Sequence, residues 1–172
     1  IVPTGIATSS TTKDFFSSLV SKMKLVSLFA FENERLVFPE VHHSMKFCLV
    51  TTANGDSDRD TIDLVWFARD ANEVADEARH VCLGASDFRL VNPNTGTCPT
   101  FRSAVDARIV MAMYRRWPIL WDEGVADGNP WGVHYLTMFH MTNDSSKFVS
   151  GKEIRTGNSS TSIDGFTYSN RD

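Results

Sequence analysis

Ile1-Val2-Pro3-Thr4-Gly5-Ile6-Ala7-Thr8 runs straight into Ser9-Ser10-Thr11-Thr12-Lys13-Asp14, an apolar stretch that stops abruptly where a helix can start. The pattern predicts a strand over residues 1–8 with a helix at once behind it. A strand this early is expected in mid-sheet, as if a larger α/β protein had been cut at an internal strand. Thr11 with Asp14 three positions on predicts a helix through Met23, and Phe15, Phe16, Leu19, Val20 and Met23 share one face of it. Leu25 to Phe31 is an apolar run of strand length. In Lys46 to Thr52, Phe47, Leu49 and Thr51 alternate with Cys48, Val50 and Thr52. Strand, helix, strand, loop, strand is the order of an α/β sheet.

Residues 53–59 read as a Gly/Asp/Ser loop and Thr61 to Ala68 as a further strand. Asp70 with Glu73 caps a helix in which Ala71, Val74, Ala75, Ala78 and Val81 recur at helical steps, ending near Gly84. Ser86 to Leu90 allows one short turn, and the prolines and glycine of residues 92–99 exclude regular structure. Ser103 with Asp106 opens another helix, with Val105, Ile109, Ala112, Met113 and Trp117 as its buried stripe and Pro118 limiting its end. Val133 to Met141 alternates as a strand does. From Ser150 onward Gly, Ser, Thr and Asn dominate, the composition of a linker.

The chain has 172 residues, 42% of them hydrophobic, enough for one domain with a real core. No run approaches the roughly 18 apolar residues of a membrane span, and the first residues lack the features of a signal peptide, so no membrane partner and a cytoplasmic location are expected. Cys48, Cys82 and Cys98 are odd in number and widely spaced, which predicts reduced thiols. A formal charge of −4 argues against a free-standing module that holds nucleic acid by bulk electrostatics. Any contact to DNA must then be local.

Leu36 to Ser44 places Phe38, Pro39, His42 and His43 in the loop between two strands, where clefts are often lined. Phe38 either plugs the sheet edge or faces such a cleft. Neighbouring histidines on extended chain point to opposite sides, and no carboxylate or thiol stands at ligand spacing, so no metal is expected. No nucleophile elbow is present. Asn129-Pro130-Trp131 follows a Gly-containing acidic loop and reads as the start of an element. Arg108 and Arg115 lie two turns apart on one helix face, with Arg102 before them and Arg116 beside them, either as a solvated face or as partners for phosphates.

Several segments together carry a resemblance: Val2 to Thr8 with Thr11-Thr12-Lys13, Ser27 to Asn33, Phe38-Pro39 with Val41-His42 and Lys46 to Leu49, Asn92 to Arg102, and Met141 to Ser145. They resemble the rear half of adenine-specific DNA methyltransferases of restriction-modification systems. The similarity is closest to large single-chain enzymes that join methylation to restriction or phage defence, and it covers the chain to about Phe148.

The resemblance implies part of a class I S-adenosylmethionine-dependent, Rossmann-like fold: a mostly parallel sheet with helices on both faces and a last strand reversed. Residues 1–69 would be the final strands and helix of the methyltransferase domain, 70–142 a connector with two helices, and 143–172 the start of a linker to a target-recognition domain. The loop before the reversed strand would overhang the active site, and Phe38 matches the aromatic that stacks on an extruded adenine. His42, His43, Lys46, Arg102, Arg108 and Arg115 would be the residues nearest double-stranded DNA. The glycine-rich cofactor loop and the Asn-Pro-Pro-aromatic tetrapeptide of such enzymes do not occur in this chain. S-adenosylmethionine would accordingly bind elsewhere in the parent enzyme, and this portion alone would be inactive. The competing expectation is a noncatalytic α/β module that docks DNA or protein in a defence complex.

Overall fold

The computed structural model describes residues 1–54, 59–148, 162–163 and 166–167. Residues 55–58 of the expected Gly/Asp/Ser loop, and most of the expected linker, lie outside the described residues. The chain divides into two compact units, Ile1–Val133 and His134–Asp172.

In the first unit, β1 (Val2–Pro3), β2 (Leu25–Glu32), β3 (Lys46–Thr52), β4 (Ile62–Ala68) and β5 (Val81–Leu83) form one sheet in the order β1-β3-β2-β4-β5. Only β2 and β4 pair in parallel; the other three pairings are antiparallel, so the sheet is mixed, not mostly parallel. The reversed strand β3 lies between β1 and β2, with Cys48 opposite both Val2 and Ala30. Its register is set by alternation, since a slip of one residue would turn the buried Cys48 outward.

The first strand is a two-residue edge strand. Pro3 suits an edge because it donates no ladder hydrogen bond, and at Gly5 the chain turns into the helix α1 (Gly5–Thr8). Of the strand expected over residues 1–8, only Val2–Pro3 is strand and Gly5–Thr8 is helix, and it lies at the sheet edge, not in mid-sheet. A single 3-10 turn, whose Thr11 N–H is capped by Ser9 Oγ, leads into α2 (Lys13–Ser21). Ser9, not Thr11, supplies the cap. Phe16 and Val20 of α2 are buried, whereas Phe15 is exposed.

The helix expected to reach Gly84 stops after one turn. In α3 (Ala71–Val74), Asp70 caps the Glu73 N–H, but Asp76 Oδ1 then accepts from the Ala78 N–H at 3.0 Å and starts a separate 3-10 turn. Beyond it Val81 and Leu83 are buried around an exposed Cys82 and pair with β4. Ladder pairing there satisfies backbone groups that β4 would otherwise leave open, and this outweighs the helical periodicity.

α4 (Ala85–Val91) and α5 (Ala104–Arg116) follow, the latter capped by Ser103 Oγ accepting from the Asp106 N–H as the sequence predicts. The buried face of α5 is the opposite of the expected one. Ala107 and Met111 enter the core with Val110 packed beside them, while Val105, Ile109, Ala112, Met113 and Trp117 are exposed. The small Ala107 permits close approach to the sheet, and Arg115 reaches Asp87 of α4 at 3.0 Å, so the helix is rotated away from its larger apolar face.

The main core lies on one face of the sheet, where Phe16, Leu28, Leu64, Trp66, Phe88 and Met111 meet. α1, α2, α4 and α5 all contribute to it. The other face carries a small cluster of Phe31, Val65 and Ala68, with Phe29, Phe47 and Val74 packed on it. Helices are therefore concentrated on one side, with only the single turn of α3 on the other.

In the second unit, residues 134–141 form no strand, and Tyr135, Leu136 and Met138 are exposed; alternation alone makes no strand without a neighbour to pair with. His140 to Lys147 is a run of turns in which Asp144 accepts from the His140 N–H and from Lys147 Nζ. Both contacts, the Lys147 one first, lower the Asp144 pKa. β6 (Ser162–Ile163) and β7 (Phe166–Thr167) pair antiparallel.

Candidate functional site

The loop from Asn33 to Met45 leaves the carboxyl end of β2, which is also the carboxyl end of its parallel neighbour β4. Ligands of open α/β sheets bind outside such strand ends. Asn33 is wholly buried and holds the loop from within: its Nδ2 donates to the Phe38 carbonyl at 3.0 Å and to the Val41 carbonyl at 2.8 Å, while its Oδ1 accepts from the Phe38 N–H at 2.9 Å. Sequence reasoning missed this residue. Its one signal was an asparagine directly after a strand, a residue type whose amide mimics a backbone turn.

Phe38 is partly buried and meets Phe47 edge to face at 4.8 Å; Phe47 in turn stacks on Phe31 at 5.0 Å. The ring therefore stands at the rim, neither sealed in the core nor free in solvent. His42 and His43 do not point apart. A turn replaces the extended chain assumed for them and brings their rings to 4.4 Å, with His42 Nδ1 accepting the Ser44 N–H at 3.3 Å. Among the described residues no group of three or more His, Cys, Asp or Glu is placed to hold a metal ion.

Lys46 and Arg102 are brought together at a residue the sequence did not mark. Phe67 has φ +60°, a left-handed conformation rare for a bulky side chain. It forms a bulge: Phe29 pairs with Val65, but Phe31 pairs with Ala68, so β4 spends one residue more than β2. The bulge puts Phe67 on the same packed face as Trp66 and leaves Ala68 to continue the opposite face. Arg79 Nη2 fixes it by donating to the Trp66 and Phe67 carbonyls at 3.1 and 3.0 Å. Over the Phe67 ring lie the Arg102 guanidinium at 4.7 Å and the Lys46 ammonium at 5.8 Å. Strained backbone of this kind clusters at functional sites.

Two hollows adjoin this ring. One of about 190 Å³ is walled by Thr4, Thr8, Glu32, Lys46, Trp66 and Phe67; the other, of about 520 Å³, is walled by Asn92, Cys98, Arg102, Asp106 and Tyr114 as well as Phe67. Glu32 is engaged by Lys46 at 2.8 Å, so the smaller hollow presents an aromatic face and a paired cation. The arrangement suits holding a planar or anionic group. The smaller hollow alone is below the roughly 300 Å³ at which ligand pockets begin, too small for S-adenosylmethionine, and no left-handed glycine stands at a strand-to-helix turn among the described residues.

The other expected contacts lie apart from this centre. Arg115 is paired with Asp87, and Arg108 is exposed on α5. Asn129 closes a turn, with Oδ1 accepting from the Val133 N–H and Nδ2 donating to the Val133 carbonyl, both at 2.9 Å. It begins neither a helix nor a strand. All three cysteines are free; burial pushes the Cys48 thiol up to about 11 and the Cys98 thiol well above its ordinary value. Neither is a reactive thiolate. No helix among the described residues is long and apolar enough to cross a membrane. No family model, curated protein or solved structure matches this chain.

Proposed function

We propose that the chain is the rear portion of a site-specific DNA adenine N6-methyltransferase of restriction or phage-defence type, forming the wall against which an extruded base is held. The observation that carries the reading is the unit made by β2, the pinned loop 33–45 and the reversed β3. It sets Phe38 at the rim of the carboxyl end of the sheet against Phe47 on one face, while Lys46 and Arg102 lie over Phe67 on the other face. The resemblance calls for a reversed strand after such an overhanging loop, and β3 runs in that sense.

Base extrusion costs a few kcal/mol, and stacking returns about 1–3 kcal/mol per base, so one rim aromatic shifts the balance measurably. The two cations, on the other face of the same end of the sheet, would draw flanking phosphates there. Methyl transfer is assigned to the parent enzyme, whose cofactor-binding residues are not those of this chain, and the isolated chain is expected to transfer none. The exposed apolar face of α5 favours a second reading, a noncatalytic module that docks protein.

The test is made on the polypeptide encoded by the intact gene. It is expected to transfer labelled methyl groups to adenine N6 in duplex DNA, and Phe38→Ala should lower the fluorescence rise of a 2-aminopurine substrate on binding. Absence of methyl transfer, or a 2-aminopurine response untouched by Phe38→Ala, would overturn the assignment.

A further inference from the structure

Helix α5 carries two apolar faces, and the core uses the smaller one. Val105, Ile109 and Met113 stand at intervals of four residues with 51%, 54% and 60% of their surfaces exposed, and Trp117, the extended residue that ends the helix, follows with 54%. Residues at i, i+4 and i+8 form the ridge by which one helix packs into the groove of another. The ridge continues into an apolar hollow of about 340 Å³ whose walls include Met113, Trp117, Pro118, Leu120 and Trp131. Scattered exposed apolar residues need no explanation, but an aligned and continuous set marks an interaction surface.

Charge around the ridge selects the occupant. Arg108, Arg115 and Arg116 accompany it on α5, and Asp106 is the only carboxylate of that helix. Arg115 is neutralised by Asp87 of α4, whereas Arg108 and Arg116 have no carboxylate partner among the described residues; Arg116 instead lies 5.6 Å from the Trp117 ring. A second copy of this chain would bring the same cationic excess, and a nucleic-acid backbone would leave the apolar ridge wet. An amphipathic helix with acidic flanks satisfies both the ridge and the arginines.

We propose that the exposed face of α5 and the adjoining Trp117/Trp131 hollow dock an amphipathic helix of a partner protein, apolar along one side and acidic along its edges. This inference does not rest on the methyltransferase reading, and it stands if methyl transfer is never found. The probe is a fluorescein-labelled peptide of about 18 residues with leucine along one face and glutamate on both flanks, titrated with the whole chain by anisotropy. Saturable binding is expected, with Ile109→Glu and Met113→Glu each weakening it at least about tenfold. Both side chains are exposed, so the variants should keep the wild-type melting temperature.

The charge assignment has its own arm. The double variant Arg108→Glu, Arg116→Glu should lose the glutamate peptide and gain the same peptide with lysine flanks. Failure of the glutamate peptide to bind, equal binding of both peptides by the wild type, concentration-dependent self-association abolished by Ile109→Glu, or duplex DNA competing for the ridge would each overturn the proposal.

Discussion

Asn33 is the residue on which the overhanging loop depends. A wholly buried amide is tolerated only when its donors and acceptor are matched, and here all three bonds go to the backbone of the loop it organises. Asn33→Ala strands those backbone groups and should cost about 2 kcal/mol, read as a lower urea midpoint, with faster amide exchange over residues 36–45. Unchanged exchange there would mean that the loop is held by Phe38 against Phe47 instead. His80 makes a second residue-scale case. Burial opposes its charged form, but Nε2 donates to the Val74 carbonyl at 2.7 Å and Nδ1 to the Asp63 carboxylate at 2.9 Å, and the net shift is upward. A raised folded-state pKa gives stability that is complete below the ordinary value of about 6.5 and is lost as pH rises through the folded value. The stability gap between wild type and His80→Gln should therefore shrink between pH 5.5 and pH 8.5, modestly because both partners are partly exposed. A gap of equal size at both pH values would show that folding leaves the His80 pKa unchanged, and a gap that widens at pH 8.5 would show that the fold keeps His80 neutral.

At the scale of elements, the join between α4 and the loop that follows it depends on Gly96. Its φ is +59°, and a Cβ there would stand 2.7 Å from Ser17 Oγ on α2, which donates to the Gly96 carbonyl at 3.0 Å. Gly96→Ala should cost about 2 kcal/mol, from left-handed strain of about 1–2 kcal/mol plus the displaced hydroxyl. Adding Ser17→Ala should recover only the hydroxyl's share; full recovery would mean that the backbone relaxes. Which elements were legible in the sequence follows from how many rules spoke for each one. β2, β3 and β4 are framed by turn residues and carry period-two or continuous apolar patterns, so their limits match the reading to within a residue. β5 was hidden because Ala71, Val74, Ala78 and Val81 keep helical spacing through a segment that tertiary pairing turns into a strand. α5 was found as a helix with the wrong face inward, because hydrophobic size points to Ile109 and Met113 while packing needs the small Ala107. At the candidate site Phe38, Lys46 and Arg102 were singled out from sequence. Phe67 was not, since its bulge carries no glycine to mark it.

At the scale of the molecule, the decisive feature is how little structure covers the far side of β3 among the described residues. Cys48 lies at the centre of that strand, its Sγ 3.9 Å from the Pro3 carbonyl, and its outer neighbour β1 is only two residues long. Cys98 is buried beneath the same segment, its N–H bonded to the Ala7 carbonyl at 2.8 Å, and after burial itself the nearby Cys48 further raises the Cys98 pKa. Lifting residues 1–12 would uncover both while β2, β4 and β5 stay paired. Such partial openings lie below the global unfolding free energy when few contacts hold the segment down. In iodoacetamide at about pH 8, Cys82 should react first, because it alone of the three is exposed, though slowly, since burial of its sulfur and the nearby Asp63 raise its pKa. Cys48 and Cys98 should then label together at one common rate, with an opening free energy smaller than that given by amide exchange at Leu28 and Leu64 in the sheet centre. Intact-mass spectra should accordingly show one adduct passing to three with little of the two-adduct species. Separate rates for the two buried thiols would break the link between β1 and α1, and a rate equal to global unfolding would make the first twelve residues as firmly fixed as the middle of the sheet.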